Sequence, residues 1–113
     1  MVNSKYEPDR GDVVWLELNS QAVHEQAGRR PALILSSKKY NQRAGLAVVC
    51  PITSRIKDYP YVVKIPDGLD VNGVILSNQI KNLDWQVRKA KYFCKMPSNV
   101  IKEVIEKLNT LIG

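Results

Sequence analysis

Glu25-Gln26-Ala27-Gly28-Arg29-Arg30-Pro31-Ala32-Leu33-Ile34-Leu35-Ser36 runs from an acidic, glycine-containing loop through two arginines into an aliphatic strand. Pro31 has no N–H to give a sheet and fixes its own φ, so it marks a strand start and pushes Arg30 toward extended backbone. Arg30 is thereby expected at a stiff strand mouth, with Glu25 to Arg29 on a loop above it. A guanidinium held beside a carboxylate suits recognition of a phosphate and stabilisation of charge developing on it. The same residues also read as a solvated basic turn ahead of a buried strand.

Outward from this stretch the chain reads as short strands closed by one helix. Asp12 to Leu18 alternates, with Val13, Trp15 and Glu17 on one side. The polar, aperiodic segment 19–29 is a surface loop, long for a hairpin. Pro31–Ser36 is the second strand, and Ser37–Gly45 holds one helical turn. Leu46–Ile52 is an aliphatic third strand, Tyr61–Ile65 a fourth and Gly73–Ile80 a fifth, with a turn cluster from Pro66 to Gly73. One or two short strands cover Val87–Lys95. After Met96-Pro97-Ser98 a helix begins, because Val100, Ile101, Val104, Ile105, Leu108, Leu111 and Ile112 recur at three- and four-residue spacing. Glu103 and Lys107 stand an i,i+4 pair apart on its other face. An isolated helix of this length is marginal in water, so its apolar face must cover the sheet. The expectation is one domain spanning residues 1–113, of α+β class and mainly β, with a curved antiparallel sheet and a C-terminal helix.

Composition limits the chemistry. Of 113 residues, 44% are hydrophobic and 25% charged, as in a folded globular domain. No apolar run approaches the roughly 20 residues that cross a bilayer, and the start lacks a signal-peptide core, so a cytoplasmic protein is expected. Net charge is +6, and residues 1–97 carry 15 Lys/Arg against 9 Asp/Glu, whereas the terminal helix is balanced. A basic field on loops attracts polyanions, although such a charge also serves solubility. His24 is the single histidine, which excludes a histidine-pair ribonuclease site within one chain. No His, Asp and Glu cluster has metal-ligand spacing; Asp67 and Asp70 flank Gly68 as turn residues do. Cys50 and Cys94 form no Cys-x-x-Cys and read as reduced, small hydrophobes. There is no Walker loop and no Gly-x-Ser-x-Gly. Any catalysis is expected to need no metal and no cofactor.

Several blocks resemble the MazF/ChpB/PemK family of toxin endoribonucleases in order and spacing across the whole chain. They are Tyr6-Glu7-Pro8-Asp9-Arg10-Gly11-Asp12-Val13-Val14-Trp15, Glu25 to Ser36, Cys50-Pro51-Ile52-Thr53, Gly73 to Lys81 and Lys107 to Gly113. The resemblance implies an SH3-like (CcdB/PemK-like) barrel of antiparallel strands with a C-terminal helix, and a homodimer. It implies cleavage of single-stranded RNA by attack of a 2′-OH on the neighbouring phosphodiester, which requires a stabilised phosphorane and mobile protons. The family's catalytic arginine and threonine fall on Arg30 and Thr53. Arg30 would give two parallel hydrogen bonds to phosphate oxygens and Thr53 one more; Thr53 also reads as a strand-ending hydroxyl satisfied by its own backbone. A guanidinium is a poor base, so Glu25 is the better acceptor for the 2′-OH proton, or else an ion-pair partner of Arg29.

For RNA binding the expected residues are Arg29, Gln26, Arg55, Lys57, Asn78, Gln79 and Lys81, with Tyr59 or Tyr61 available to stack a base or to pack on the sheet. Where many family members have Asp-Gln, this chain has Asn78-Gln79, closer to the ChpB branch; Asn78 cannot act as a base. The resemblance further implies a cognate acidic, MazE-like antitoxin, with DNA engaged only indirectly through that complex, and no membrane. A different function on the same barrel is that of CcdB-type toxins, which poison DNA gyrase by binding and cut no RNA.

Overall fold

The computed structural model describes residues 6–18, 29–55 and 58–113. In chain order the elements are β1 (Asp12–Glu17), β2 (Arg29–Ile34), α1 (Lys38–Ala44), β3 (Leu46–Thr53), β4 (Val62–Lys64), β5 (Val74–Leu76), β6 (Lys81–Asp84), β7 (Lys91–Lys95) and α2 (Ser98–Ile112). The strands form one antiparallel sheet in the order β4-β5-β3-β2-β1-β7, with β6 also paired to β3. This is the mainly β architecture with a terminal helix that the sequence implied.

Alternation along the central strands buries both faces of the sheet, because successive side chains point to opposite sides. Val13, Leu33, Cys50 and Ile52 pack with Ile75, Met96, Val100, Val104 and Leu108 under α2. Val14, Leu16, Ala32, Ile34, Ala47 and Val49 form the second cluster around Trp85. The Trp85 indole N–H donates to the Asn41 carbonyl at 2.9 Å, which docks α1 onto that second face. Asn41 is itself fully buried, and its amide donates to the carbonyls of Pro8 (2.9 Å) and Ser36 (3.1 Å). A buried amide with both protons used costs little, whereas an unpaired one would be destabilising. Leu33 is inaccessible to solvent and central to the helix-side cluster. Leu33→Ala is therefore expected to lower stability by about 2–5 kcal/mol, measured as a shift in the urea unfolding midpoint.

The structure revises the sequence reading at several points. β2 begins at Arg29 rather than Pro31, because Glu17↔Arg29 and Leu16↔Arg30 extend the ladder with β1 before β3 joins at Ala32↔Pro51. Arg29 thus lies on the strand rather than on the loop. The helical turn in 37–45 is a seven-residue helix, with Ser37 Oγ accepting the Tyr40 N–H and Gly45 closing it at φ 70°. The fifth strand is only Val74–Leu76, and Lys81 opens a separate strand, β6. Both strands pair with the same edge of β3, at Ile52–Thr53 and Leu46–Val49 respectively. Between them Cys50 and Pro51 have no partner on that edge, and the chain leaves the ladder there as a turn through Ser77 and Asn78. Pro51 has no N–H to offer a ladder, which suits it to this gap.

The apolar stripe of α2 is covered at Val100, Val104 and Leu108, but Leu111 and Ile112 are exposed. Lys107 donates to the Pro60 carbonyl at 2.9 Å, fastening the helix to the entry of β4 rather than serving mainly as a partner for Glu103.

Candidate functional site

A cleft of about 1080 Å³ opens where the ends of β1, β2 and β3 meet the β4–β5 connection. Arg29, Arg30, Thr53, Arg55, Gln79 and Lys81 all line it. Arg30 and Thr53, 23 positions apart in the chain, meet because β2 and β3 are neighbouring antiparallel strands. β2 enters the sheet at the end from which β3 leaves it.

Arg30 is exposed at this mouth, and its side chain makes no hydrogen bond or ion pair with the described residues. Arg29 is tethered. Its Nη2 donates to the Lys89 carbonyl at 3.2 Å, and its Nη1 lies 3.7 Å from Glu17 Oε2. Lys89 holds that carbonyl in place from a left-handed backbone (φ 58°) at the turn before β7. Two adjacent arginines therefore have different surroundings, one braced by the sheet edge and one directed at the cleft.

Thr53 ends β3, and its Oγ1 accepts the Arg55 N–H at 3.2 Å. The local backbone bond anticipated for a strand-ending hydroxyl is thus present, yet it uses the oxygen as acceptor and leaves the hydroxyl proton to be donated. Four cations, Arg29, Arg30, Arg55 and Lys81, share the cleft with one carboxylate, Asp70. Such a concentration of positive charge in a concave surface raises the local concentration of phosphates.

Sequence reasoning missed an aromatic wall. Trp15 and Phe93 line the cleft with ring centroids 5.1 Å apart and planes at 32°. Val13 pairs with Cys94 and Val14 with Tyr92, so the register skips Phe93. Such an irregularity re-aims a side chain, and no sequence periodicity announces it. Tyr59 and Tyr61, the stacking candidates, are outside the lining; the Tyr59 hydroxyl instead donates to Asn78 Oδ1 at 3.2 Å. Asn78 sits on the turn after β5 and is likewise not a lining residue, whereas its neighbour Gln79 is. Glu25, Gln26, His24 and Lys57 lie outside the described residues.

Cys50 is buried, and burial pushes its thiol up to about 12, so it packs as a small apolar group. The Cys94 thiol is raised by burial and by the charge of Asp70. Among the described residues no three His, Cys, Asp or Glu side chains are placed to hold a metal ion.

Residues 9–112 match the family described as PemK-like, MazF-like toxin of type II toxin-antitoxin system. The chain is 36% identical over 110 residues to the endoribonuclease toxin MazF of Escherichia coli K12, covering 97% of this chain and 98% of that one. Among solved structures, MazF from Deinococcus radiodurans superposes with a TM-score of 0.88 at 48% identity, covering 96% of this chain and 99% of the other. A MazE–MazF structure from the same organism gives 0.87 at 43%, covering 96% and 98%. The fold and these likenesses define a small toxin of the toxin–antitoxin class. The chain belongs to the PemK-like, MazF-like toxin family.

Proposed function

We propose that this toxin is an endoribonuclease that cuts single-stranded RNA at the Arg30–Thr53 cleft, without a metal, by attack of the RNA's own 2′-OH. The family and its endoribonuclease members support RNA cleavage as the activity. The observation that carries the site assignment is the convergence of Arg30 and Thr53, from neighbouring strands, in one cationic cleft.

In this mechanism the 2′-OH adds to phosphorus while Glu25, on the segment before β2, accepts its proton. Charge builds on the non-bridging oxygens, where two N–H groups of Arg30 and the hydroxyl proton of Thr53 are donated. The 5′ oxygen leaves and takes up a proton, giving a 2′,3′-cyclic phosphate and a 5′-OH. Arg29, Arg55 and Lys81 hold flanking phosphates, joined by Lys57. Gln79 reads a base edge through its amide, with Gln26 and Asn78 contributing the same chemistry. The Trp15–Phe93 wall offers a π-face to an unpaired base.

The working unit in this reading is a homodimer in the cytoplasm, with basic loops of both protomers along one groove. Its antagonist is an acidic, MazE-like antitoxin competing for the phosphate sites; relatives solved as MazE–MazF support such a partner. DNA is reached only through that complex. Membership in the MazF-like family favours this reading over gyrase poisoning of the CcdB kind. Incubating purified protein with naked RNA, and separately with gyrase and DNA, tests the choice. Cleaved RNA and unaffected supercoiling are expected, and the reverse pattern overturns the proposal.

Thr53→Ala is expected to slow single-turnover cleavage by about 10²-fold, the low end for one transition-state donor. Thr53→Ser, which keeps the hydroxyl, should lose less. Equal losses in the two variants would show that the hydroxyl is not the operative group.

A further inference from the structure

Beyond the lining residues, one position governs where Thr53 can sit. Gly73 precedes β5, with φ at +111°. A Cβ placed there would overlap the carbonyl oxygen of Thr53 and stand 2.8 Å from the Thr53 carbonyl carbon and 2.9 Å from the Ser54 Cα. Real Cβ atoms essentially never come that close to backbone, and none of the three atoms is the movable end of a side chain.

We infer that Gly73 is a positioning residue for cleavage: by letting β5 pass against the Thr53–Ser54 backbone, it sets the Thr53 hydroxyl in the cleft. The inference rests on the assignment of Thr53 as a donor to the phosphate. Gly73 cannot yield to a clash from its own side. Its carbonyl accepts the Ile65 N–H at 3.0 Å, and the next residue, Val74, is paired to Lys64, so β4 anchors this stretch from the side away from Thr53. Ser54 and Arg55, by contrast, form an exposed bend with no ladder partner. The displacement must therefore fall on the Thr53–Ser54 peptide. The hydroxyl moves with that peptide, as does the Arg55 N–H bonded to it. A donor matched to a developing oxyanion tolerates shifts of only a fraction of an ångström, and a displacement near 1 Å can cost about 10²-fold in rate.

The same connection contains its own control. Gly68 also has a left-handed backbone (φ +96°), but a Cβ there meets nothing within 4 Å. Gly68→Ala and Gly73→Ala thus share the conformational penalty of a positive φ, and only the second presses on Thr53.

The experiment measures kcat, KM and thermal unfolding of Gly73→Ala, Gly68→Ala, Thr53→Ala and the Gly73→Ala/Thr53→Ala double variant on an RNA substrate. Rates are referred to the folded fraction from circular dichroism. A variant unfolded in plain buffer is assayed in trimethylamine N-oxide, alongside the wild type in the same medium. The expected result is a fall in kcat of about 10- to 10²-fold for Gly73→Ala with KM little changed, and a wild-type kcat for Gly68→Ala. In the Thr53→Ala background, Gly73→Ala should slow cleavage no further. Independent multiplication of the two losses, or a wild-type kcat for Gly73→Ala beside a slow Thr53→Ala, overturns the role of Gly73 alone. A wild-type rate for Thr53→Ala overturns the donor assignment as well.

Discussion

Arg30→Ala is expected to lower the single-turnover cleavage rate by about 10²–10³-fold, the range for removing one preorganised donor from a transition state. The loss should appear at saturating enzyme, because the missing hydrogen bonds act on charge that exists only as the phosphorane forms. Folding should barely change, since Arg30 is exposed at the strand mouth and the sheet pairs through its backbone. Arg30→Lys should fail nearly as badly, because an ammonium cannot reproduce a planar two-pronged contact. Arg29→Ala is the contrasting variant. Its guanidinium is already engaged by Glu17 and by the Lys89 carbonyl. Its loss should weaken binding and flatten the salt dependence while leaving the chemical step close to normal. If Arg29→Ala lost the chemical step and Arg30→Ala kept it, the two arginines would have to exchange roles.

The second large effect concerns the substrate. Replacing the ribose at the cut position by 2′-deoxyribose, or capping it as 2′-O-methyl, should abolish detectable cleavage. The nucleophile in this mechanism belongs to the RNA, held within reach of phosphorus by its own backbone. Binding should survive, because phosphates and base faces are unchanged, and the deoxy substrate should act as a competitive inhibitor. Normal cleavage of the deoxy strand would require an external nucleophile and a different site.

Much of this molecule was legible in its residues because the informative patterns are local. The spacing of Val100, Val104 and Leu108 located the terminal helix and its buried face. The aliphatic runs beginning at Ala32 and Leu46 located the two central strands. Arg30 and Thr53 could be singled out because each stands at a strand end beside a proline-containing segment, and the family resemblance covered both.

What the residues could not give depends on pairing between distant segments. Arg29 reads as a free loop cation until Glu17 and Lys89, from β1 and the turn before β7, close on it. Phe93 enters the cleft through an irregularity of the β1–β7 register that leaves no periodic trace. Asn78 and Gln79 read as strand residues because Val74 to Leu76 continues smoothly into them. Only the change of partner along β3, from β6 to β5, turns them out of the ladder. The stripe on α2 likewise extends in sequence to Ile112, whereas the sheet beneath it covers only as far as Leu108.

The most direct test is the chemistry of the ends. Purified protein is incubated with a defined single-stranded RNA in excess EDTA, and the fragments are identified by mass spectrometry. Cleavage undiminished by EDTA, with a 2′,3′-cyclic phosphate upstream and a 5′-OH downstream, is the predicted result. Loss of cutting in EDTA, or a 5′-phosphate on the downstream fragment, would contradict it.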